Sequence, residues 1–319
     1  MRWELSELQE AVGELAGGIL KEAEDPWGAL VEAELLGLES MEDIAALLVE
    51  VGKAGATVPV FETMVLGAPA LRSGEKKEGS VLTAGLVEAD SRNPRRPLTR
   101  TEGGRLYGEK ICVPAADRAV QIVVPAADGV YLAKMEDCIV VNQQGTDDRM
   151  LGQVTFEGTP AERIGGSELL DWWLPRVDVG LCALLLGLSQ TALQLTSSYV
   201  RKRKQFGQPV GAFQAVQQRA ADAWIQTQAI EVTMWQAAWR VEQGLPSERE
   251  RAIARYFAAE GSHFVCASAQ HLHGGFGFDR DYELHRYFLA ARQHEFLLGG
   301  ANAQLEKLGK QIALDPKQE

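Results

Sequence analysis

The sequence predicts an α+β fold in which two helical regions flank a small, largely antiparallel β region. Two observations carry this. Up to about residue 74, and again beyond about 166, apolar side chains recur at helical spacing, whereas 75–165 breaks into short runs with the period of a strand. Hydrophobic residues make up 46% and charged residues 24% of the 319, so packed cores can form and general disorder is excluded. The length predicts two or three domains at ~100–200 residues each. The boundaries that follow are 1–74 for a shortened N-terminal helical domain, 75–165 for a middle β domain and 166–319 for a C-terminal domain built as a four-helix bundle.

Ser6 with Gln9 has the pattern of a capping box, and Leu8, Val12, Leu15 and Ile19 continue it as a helix ending near Asp25-Pro26. Met41, Ile44, Leu48 and Val51 spell a second helix, stopped at Gly52 and Gly55. After the extended Thr57-Val58-Pro59, Phe61 to Leu71 reads as a third. Strands are predicted over 80–87, 104–113, 121–124, 130–133, 138–141 and 153–157, with a polar loop at 90–97 and a hairpin turn at Ala127-Asp128-Gly129. Val179 to Leu195 is apolar almost all round, the pattern of a helix buried on every side. Its apolarity, with Trp-rich helices beside it, predicts at least a dimer. Phe213 to about Gly244 is one long helix. Ser247 with Glu250 reads as a second capping box, opening a helix to about Leu272. A glycine-rich turn at 273–277 follows, and two more helical pieces surround Gly299-Gly300.

Several functions are disfavoured. A net charge of −12 lacks the basic face that duplex nucleic acid requires. The mean hydropathy is −0.13, and apolar runs break before the ~20 residues of a membrane span. Met1-Arg2-Trp3-Glu4 leads into an amphipathic segment without the apolar run of a secretory leader, which predicts a cytoplasmic protein. Cys112, Cys138, Cys182 and Cys266 form no CxxC pair and read as buried thiols. The five histidines lie between His263 and His294 without a metal-ligand pattern, so no metal is expected. Trp172-Trp173 reads as packing between domains.

Two segments carry chemistry. Arg201-Lys202-Arg203-Lys204-Gln205-Phe206-Gly207, continuing to Gln217, sets cations at the end of one helix and a tight turn before the next. Gln270-His271-Leu272-His273-Gly274-Gly275-Phe276-Gly277-Phe278 bares backbone amides of the kind that approach phosphate. Together, and followed by Asp281 to Tyr287, they resemble the acyl-CoA dehydrogenase family, whose pattern is R-x-Q-F-G, F-Q-x-x-Q, then Q-x-x-G-G-x-G. Glu157 to Gly166 and Val58 to Thr63 also look familial. The resemblance implies a helical, β and four-helix domain order, FAD held at a subunit interface, and removal of an α-proton and a β-hydride from an acyl-CoA. It places Arg203, Gln205, Phe206 and Gln214 against the ADP part of a neighbour's FAD. It places Gly274 and Gly275 beneath the diphosphate. The family's glutamine falls on His271, with Gln270 one place out of step.

The departures are as informative. The family's catalytic glutamate, in a Tyr-Glu-Gly-Thr segment, falls on Gly299 of Leu298-Gly299-Gly300-Ala301, which takes no proton. The family's alternative base position falls on Val177, leaving the adjacent Asp178 as a displaced carboxylate. The flavin-shielding Trp-Ile-Thr becomes Cys112-Val113-Pro114, and the Thr-Glu-Pro-x-Ala-Gly-Ser-Asp loop becomes Val87-Glu88-Ala89-Asp90-Ser91. What a subunit gives to its own flavin is missing, and what it gives to a neighbour's remains. This resembles the short, catalytically reduced subunit of heteromeric acyl-CoA dehydrogenases in actinobacterial steroid and cholesterol catabolism. That implies an acyl-CoA substrate and a homologous catalytic partner in an α2β2 assembly. The alternatives are a self-sufficient homo-oligomer, a homodimer at the least, using Asp178 or Glu295, and a non-enzymatic scaffold of the same fold.

Overall fold

The structure is a computed structural model that describes residues 5–74 and 79–314; the segment read as lacking a leader, 1–4, lies outside them. The first capping box forms as its pattern requires. Gln9 N–H donates to Ser6 Oγ at 3.2 Å and Ser6 N–H to Gln9 Oε1 at 2.9 Å, opening α1 (Glu7–Glu22). A short α2 (Pro26–Glu32) follows, with Pro26 in the first turn and the Asp25 side chain accepting from Gly28 N–H. The sequence suggested only an end there.

Helix α3 (Met41–Ala54) runs through Gly52 and stops at Gly55, which caps it at φ 56°. Gly52 is a contact surface, not a breaker: a Cβ there would lie 2.4 Å from Leu184 O, and one on Gly187 would lie 2.0 Å from Val49 O. The helix expected over Phe61 to Leu71 is interrupted. Glu62–Leu66 forms a π turn in which Gly67 N–H reaches Glu62 O at 2.7 Å, and α4 (Ala68–Arg72) starts afresh. Pro69 has no N–H to continue a ladder and suits a first turn.

The β region is a seven-stranded sheet. Its strands are β1 (Leu82–Ala84), β2 (Arg100–Glu102), β3 (Arg105–Pro114), β4 (Gln121–Ala126), β5 (Gly129–Lys134), β6 (Ile139–Gln144) and β7 (Met150–Gly165). The order is β1-β4-β5-β7-β3-β2, with β6 also paired to β7; only β1–β4 is parallel. The predicted strand 80–87 contracts to three residues, and beyond it only Val87 bridges Ile111. Leu106, Ile122, Val124, Val154 and Phe156 form the core of the sheet. Cys112 sits at φ 53° where the β3–β7 register shifts, and it is exposed, which corrects the expectation of a buried thiol. Cys182 and Cys266 are buried, and burial pushes both thiols up to about 12.

The C-terminal helices are α5 (Ser167–Lys202), α6 (Gln214–Glu242), α7 (Glu248–His273), α8 (Leu284–Phe296) and α9 (Ala301–Leu314). By length and composition α5 could cross a membrane, but 72% of its apolar window is buried inside the protein. The 179–195 run is therefore largely covered by the chain itself and does not by its own apolarity call for a partner. The second capping box does not form. Ser247 Oγ instead accepts from Arg251 Nε at 3.2 Å, and Glu250 pairs with Arg240 at 3.3 Å.

The chain divides into two compact units. One comprises Met1–Ala23, Glu39–Ala56 and Asp178–Glu319; the other comprises Glu24–Leu38 and Thr57–Val177. In the second, Trp173 Nε1 donates to Val65 O at 2.8 Å, and the Trp172 ring takes Arg176 at 4.2 Å and Arg72 at 4.7 Å.

Candidate functional site

Helix α5 ends at Lys202, and the chain turns through a two-stranded hairpin, β8 (Lys204–Gln205) with β9 (Gln208–Pro209), into the first turn of α6. Val210 N–H closes the hairpin on Arg203 O at 2.8 Å. Arg203, Gln205, Phe206 and Gln214 all face solvent. Phe206 is 93% exposed at φ 53°, and it meets Phe213 edge to face at 6.2 Å. The Arg203 guanidinium makes no hydrogen bond or ion pair to the described residues. Gln205 spends its side-chain amide on the Lys204 carbonyl at 2.7 Å, whereas the Arg203 guanidinium has no such use among the described residues.

Helix α7 ends at His273. Gly274 then takes φ 61° and ψ −140°, a backbone state that residues with a Cβ avoid, and a 3-10 turn runs to Phe278. A Cβ at Gly274 or Gly275 would meet no atom within 4 Å, so this stretch of backbone borders open space. His271 is exposed; His273 is buried. His273 Nδ1 lies 2.7 Å from Ala269 O and Nε2 3.1 Å from the Tyr282 hydroxyl, and burial pulls its pKa below the usual 6.5.

The hairpin and the glycine turn meet through Tyr199, which no sequence pattern marks out. Its ring stacks on His273 at 4.3 Å and on Phe276 at 5.9 Å, and its hydroxyl donates to His273 O at 3.4 Å. A free guanidinium, an open glycine backbone and exposed aromatic rings at one end of this unit suit a dinucleotide such as FAD, whose diphosphate takes the cation.

The two family base positions are also linked. Asp178 is held by Arg251, and Arg255 Nε lies 3.8 Å from its other oxygen. Arg255 is fully buried and donates through Nη2 to Leu297 O at 2.7 Å and Gly299 O at 3.3 Å. Gln304 Nε2 adds a bond to Gly299 O at 3.2 Å, and Lys307 donates to Gln304 at 3.0 Å. Burial pulls the Lys307 pKa down. The neighbourhood therefore carries three cations against Asp178. Neither Arg251 nor Arg255 stood out in the sequence, where arginines at helical positions read as surface. Glu295, the other displaced carboxylate considered, is tied to Arg292 at 2.5 Å, and burial raises its pKa.

In the β unit, the segment that replaces the family's Thr-Glu-Pro loop is bound inward. Buried Glu88 accepts from Lys110 Nζ at 2.6 Å, Thr99 Oγ1 at 2.6 Å, Thr99 N–H at 3.0 Å and Leu98 N–H at 2.5 Å. Burial alone would raise its pKa, and these donors more than offset it and hold the carboxyl below its usual range. The Pro114 carbonyl accepts from Thr83 Oγ1 at 2.5 Å. Among the described residues, no group of His, Cys, Asp and Glu has the arrangement of a metal site.

Comparison with known proteins agrees with this geometry. Residues 174–313 match the model of the acyl-CoA dehydrogenase C-terminal domain. The chain is 34% identical to acyl-CoA dehydrogenase FadE27 of Mycobacterium tuberculosis, over 91% of this chain and 88% of that one. Its fold is similar to a chain of the ChsE4-ChsE5 complex from Mycobacterium tuberculosis, with a TM-score of 0.90 at 30% identity, covering 99% of this chain and 100% of that one. It is likewise similar to a steroid ACAD variant of Tcur3481-Tcur3483, with a TM-score of 0.88 at 31% identity, covering 96% and 98%. Sequence identity of 34% along 91% of its length to an acyl-CoA dehydrogenase, with the same fold at a TM-score of 0.90, makes this chain a member of the acyl-CoA dehydrogenase family of FAD-dependent oxidoreductases.

Proposed function

We propose that the chain is the reduced subunit of a heteromeric acyl-CoA dehydrogenase. In this reading Arg203, Gln205, Phe206, Gln214, His271, Gly274 and Gly275 offer contacts to FAD across an interface. A homologous partner in an α2β2 assembly supplies the base and the flavin-ring contacts. The domains are 1–74, 75–165 and 166–319, and the setting is cytoplasmic. The substrate is a steroid-derived acyl-CoA thioester, a class supported by the likeness to a steroid ACAD.

The observation that carries the reading is the state of the two base positions. Gly299 and Val177 have no proton-accepting side chain, and the carboxylate of the adjacent Asp178 is paired with Arg251 and Arg255. A general base needs an oxygen within hydrogen-bond reach of the substrate's acidic carbon, and here Arg251 bonds one Asp178 oxygen while the buried Arg255 guanidinium lies 3.8 Å from the other and holds the carboxylate as an ion pair. When bound, FAD supplies the hydride acceptor. This chain's residues bind and orient: the Arg203 guanidinium offsets diphosphate charge, and the open backbone at Gly274 and Gly275 lets the diphosphate approach closely.

The test is to purify the chain alone and together with its partner subunit, and to measure flavin absorbance and acyl-CoA oxidation in both. The lone chain is expected to show no turnover with added FAD, and activity to appear with a partner that carries the glutamate. Asp178→Asn in the assembled enzyme is expected to leave turnover within about twofold, since a base that acts in the chemistry contributes about 10²–10⁴. Robust turnover by the lone chain, abolished by Asp178→Asn, would establish a self-sufficient enzyme. Absence of flavin from every assembly would leave a scaffold.

A further inference from the structure

We propose that Tyr199 is a positioning residue that fixes the hairpin at 203–209 and the glycine turn at 274–278 as one rigid receptor for the dinucleotide. The inference rests on the FAD reading above and adds a residue to it. Four observations place Tyr199 between the segments. Its carbonyl accepts Arg203 N–H at 2.8 Å, which sets where the chain leaves α5 and the hairpin begins. Its ring stacks on His273, the last residue of α7, at 4.3 Å with 26° between the planes. The same ring lies 5.9 Å from Phe276, inside the glycine turn, with 12° between the planes. Its hydroxyl reaches the His273 carbonyl, which directly precedes Gly274.

The stack is itself braced. Phe276 packs on Tyr282 at 4.4 Å, and the Tyr282 hydroxyl bonds His273 Nε2. The turn is thus held between Tyr199 on one side and Tyr282 on the other. The backbone at Gly274 and Gly275 borders open space and carries no side chain, whereas Gly277 sits against the end of α7, where a Cβ would lie 2.7 Å from Gln270 O. The open stretch is therefore placed by that seat and by the Phe276 ring, which lies against Tyr199 and Tyr282. A displacement of about 1 Å in such a turn costs a binding site much of its affinity, because charge-assisted hydrogen bonds weaken steeply with distance and angle.

Tyr199 touches neither the open face of the glycines nor the free guanidinium, so it acts through both segments and not on the ligand. The test is a double-mutant cycle on the assembled complex, with FAD affinity read by flavin fluorescence on titration. Tyr199→Phe keeps the ring and is expected to bind FAD within about twofold of the parent. Tyr199→Leu, which keeps bulk and loses the stack, is expected to lose about tenfold. Combined with Arg203→Ala, Tyr199→Leu is expected to cost clearly less than it does alone, because part of its effect passes through Arg203. Circular dichroism and the unfolding midpoint of each variant separate misfolding from weakened binding; if Tyr199→Leu does not fold, Tyr199→Met, which also keeps bulk and loses the stack, replaces it with the same expected coupling. A full additive loss in the double variant, or unchanged affinity in Tyr199→Leu while Arg203→Ala binds poorly, would overturn the positioning role and leave the FAD reading standing. Unchanged affinity in Arg203→Ala as well would remove the FAD reading itself.

Discussion

At the scale of single residues, the sharpest expectation concerns Arg203. Its guanidinium is exposed and unpaired, so removing it disturbs no internal contact. Arg203→Ala deletes a charge-assisted bond worth roughly 1.5–3 kcal/mol. FAD retention in the assembled enzyme should fall about ten- to a hundredfold with the unfolding midpoint unchanged; equal retention in a dialysis assay would count against the assignment. Arg203 and its neighbours could be read from sequence because their types are odd for a turn that serves only the fold. The Arg203 guanidinium, a phenylalanine ring 93% exposed and a glycine backbone open to space contribute little to the fold. Tyr199 and Arg255 stayed hidden for the opposite reason. A tyrosine or an arginine on a long helix is ordinary, and only the folded chain shows that one joins two distant segments and the other lies fully buried against the 297–299 carbonyls.

At the scale of elements, two features set stability. The first is the crossing of α3 and α5 at Gly52 and Gly187, where the backbones touch. Gly187→Ala gains up to about 1 kcal/mol of helix propensity but forces a carbon to within 2.0 Å of Val49 O, so a net loss of about 2–3 kcal/mol is expected in urea unfolding. Gly18→Ala on α1, with nothing within 4 Å, is the control and should stabilise by about 0.5–1 kcal/mol. The second is the buried Glu88–Lys110 pair across the sheet. Lys110→Met leaves an uncompensated carboxylate and should cost about 3–5 kcal/mol, whereas adding Glu88→Gln should recover much of it. Because the folded Glu88 pKa lies below the ordinary 4.5, its contribution is complete above that pH and is lost as pH falls through the lowered value. Acid unfolding below about pH 4.5 should therefore be shallower in the double variant. The long helices were legible because their apolar spacing repeats many times. The three-residue β2, the π turn at Glu62–Leu66 and the parallel β1–β4 pairing were not, since each depends on one proline or one distant strand and leaves no periodic trace.

At the scale of the whole molecule, the expectation of assembly moves from one helix to another. The apolar α5 is largely covered, but α6 exposes Trp224 at 57%, Ile225 at 55% and Val232 at 42% along one side. Large apolar groups clustered on a helix face are the mark of a surface that another protein covers. Sedimentation at micromolar concentration should give at least a dimer, and Trp224→Glu with Ile225→Lys should shift the mixture toward monomer; a monomeric parent protein would contradict the reading. The Arg255 contact bears on history as well as on chemistry. Gly299 takes φ 95°, and a Cβ there would lie 2.9 Å from Ala303 Cβ. Gly299→Glu would thus meet a backbone state that resists any side chain, beside a buried guanidinium that would capture the new carboxylate. Regaining a base would demand changes at 299, 303 and 255 together, each unrewarded alone. Under the proposed function this is a one-way gate: dependence on a partner, once entered, is not reversible by single substitutions.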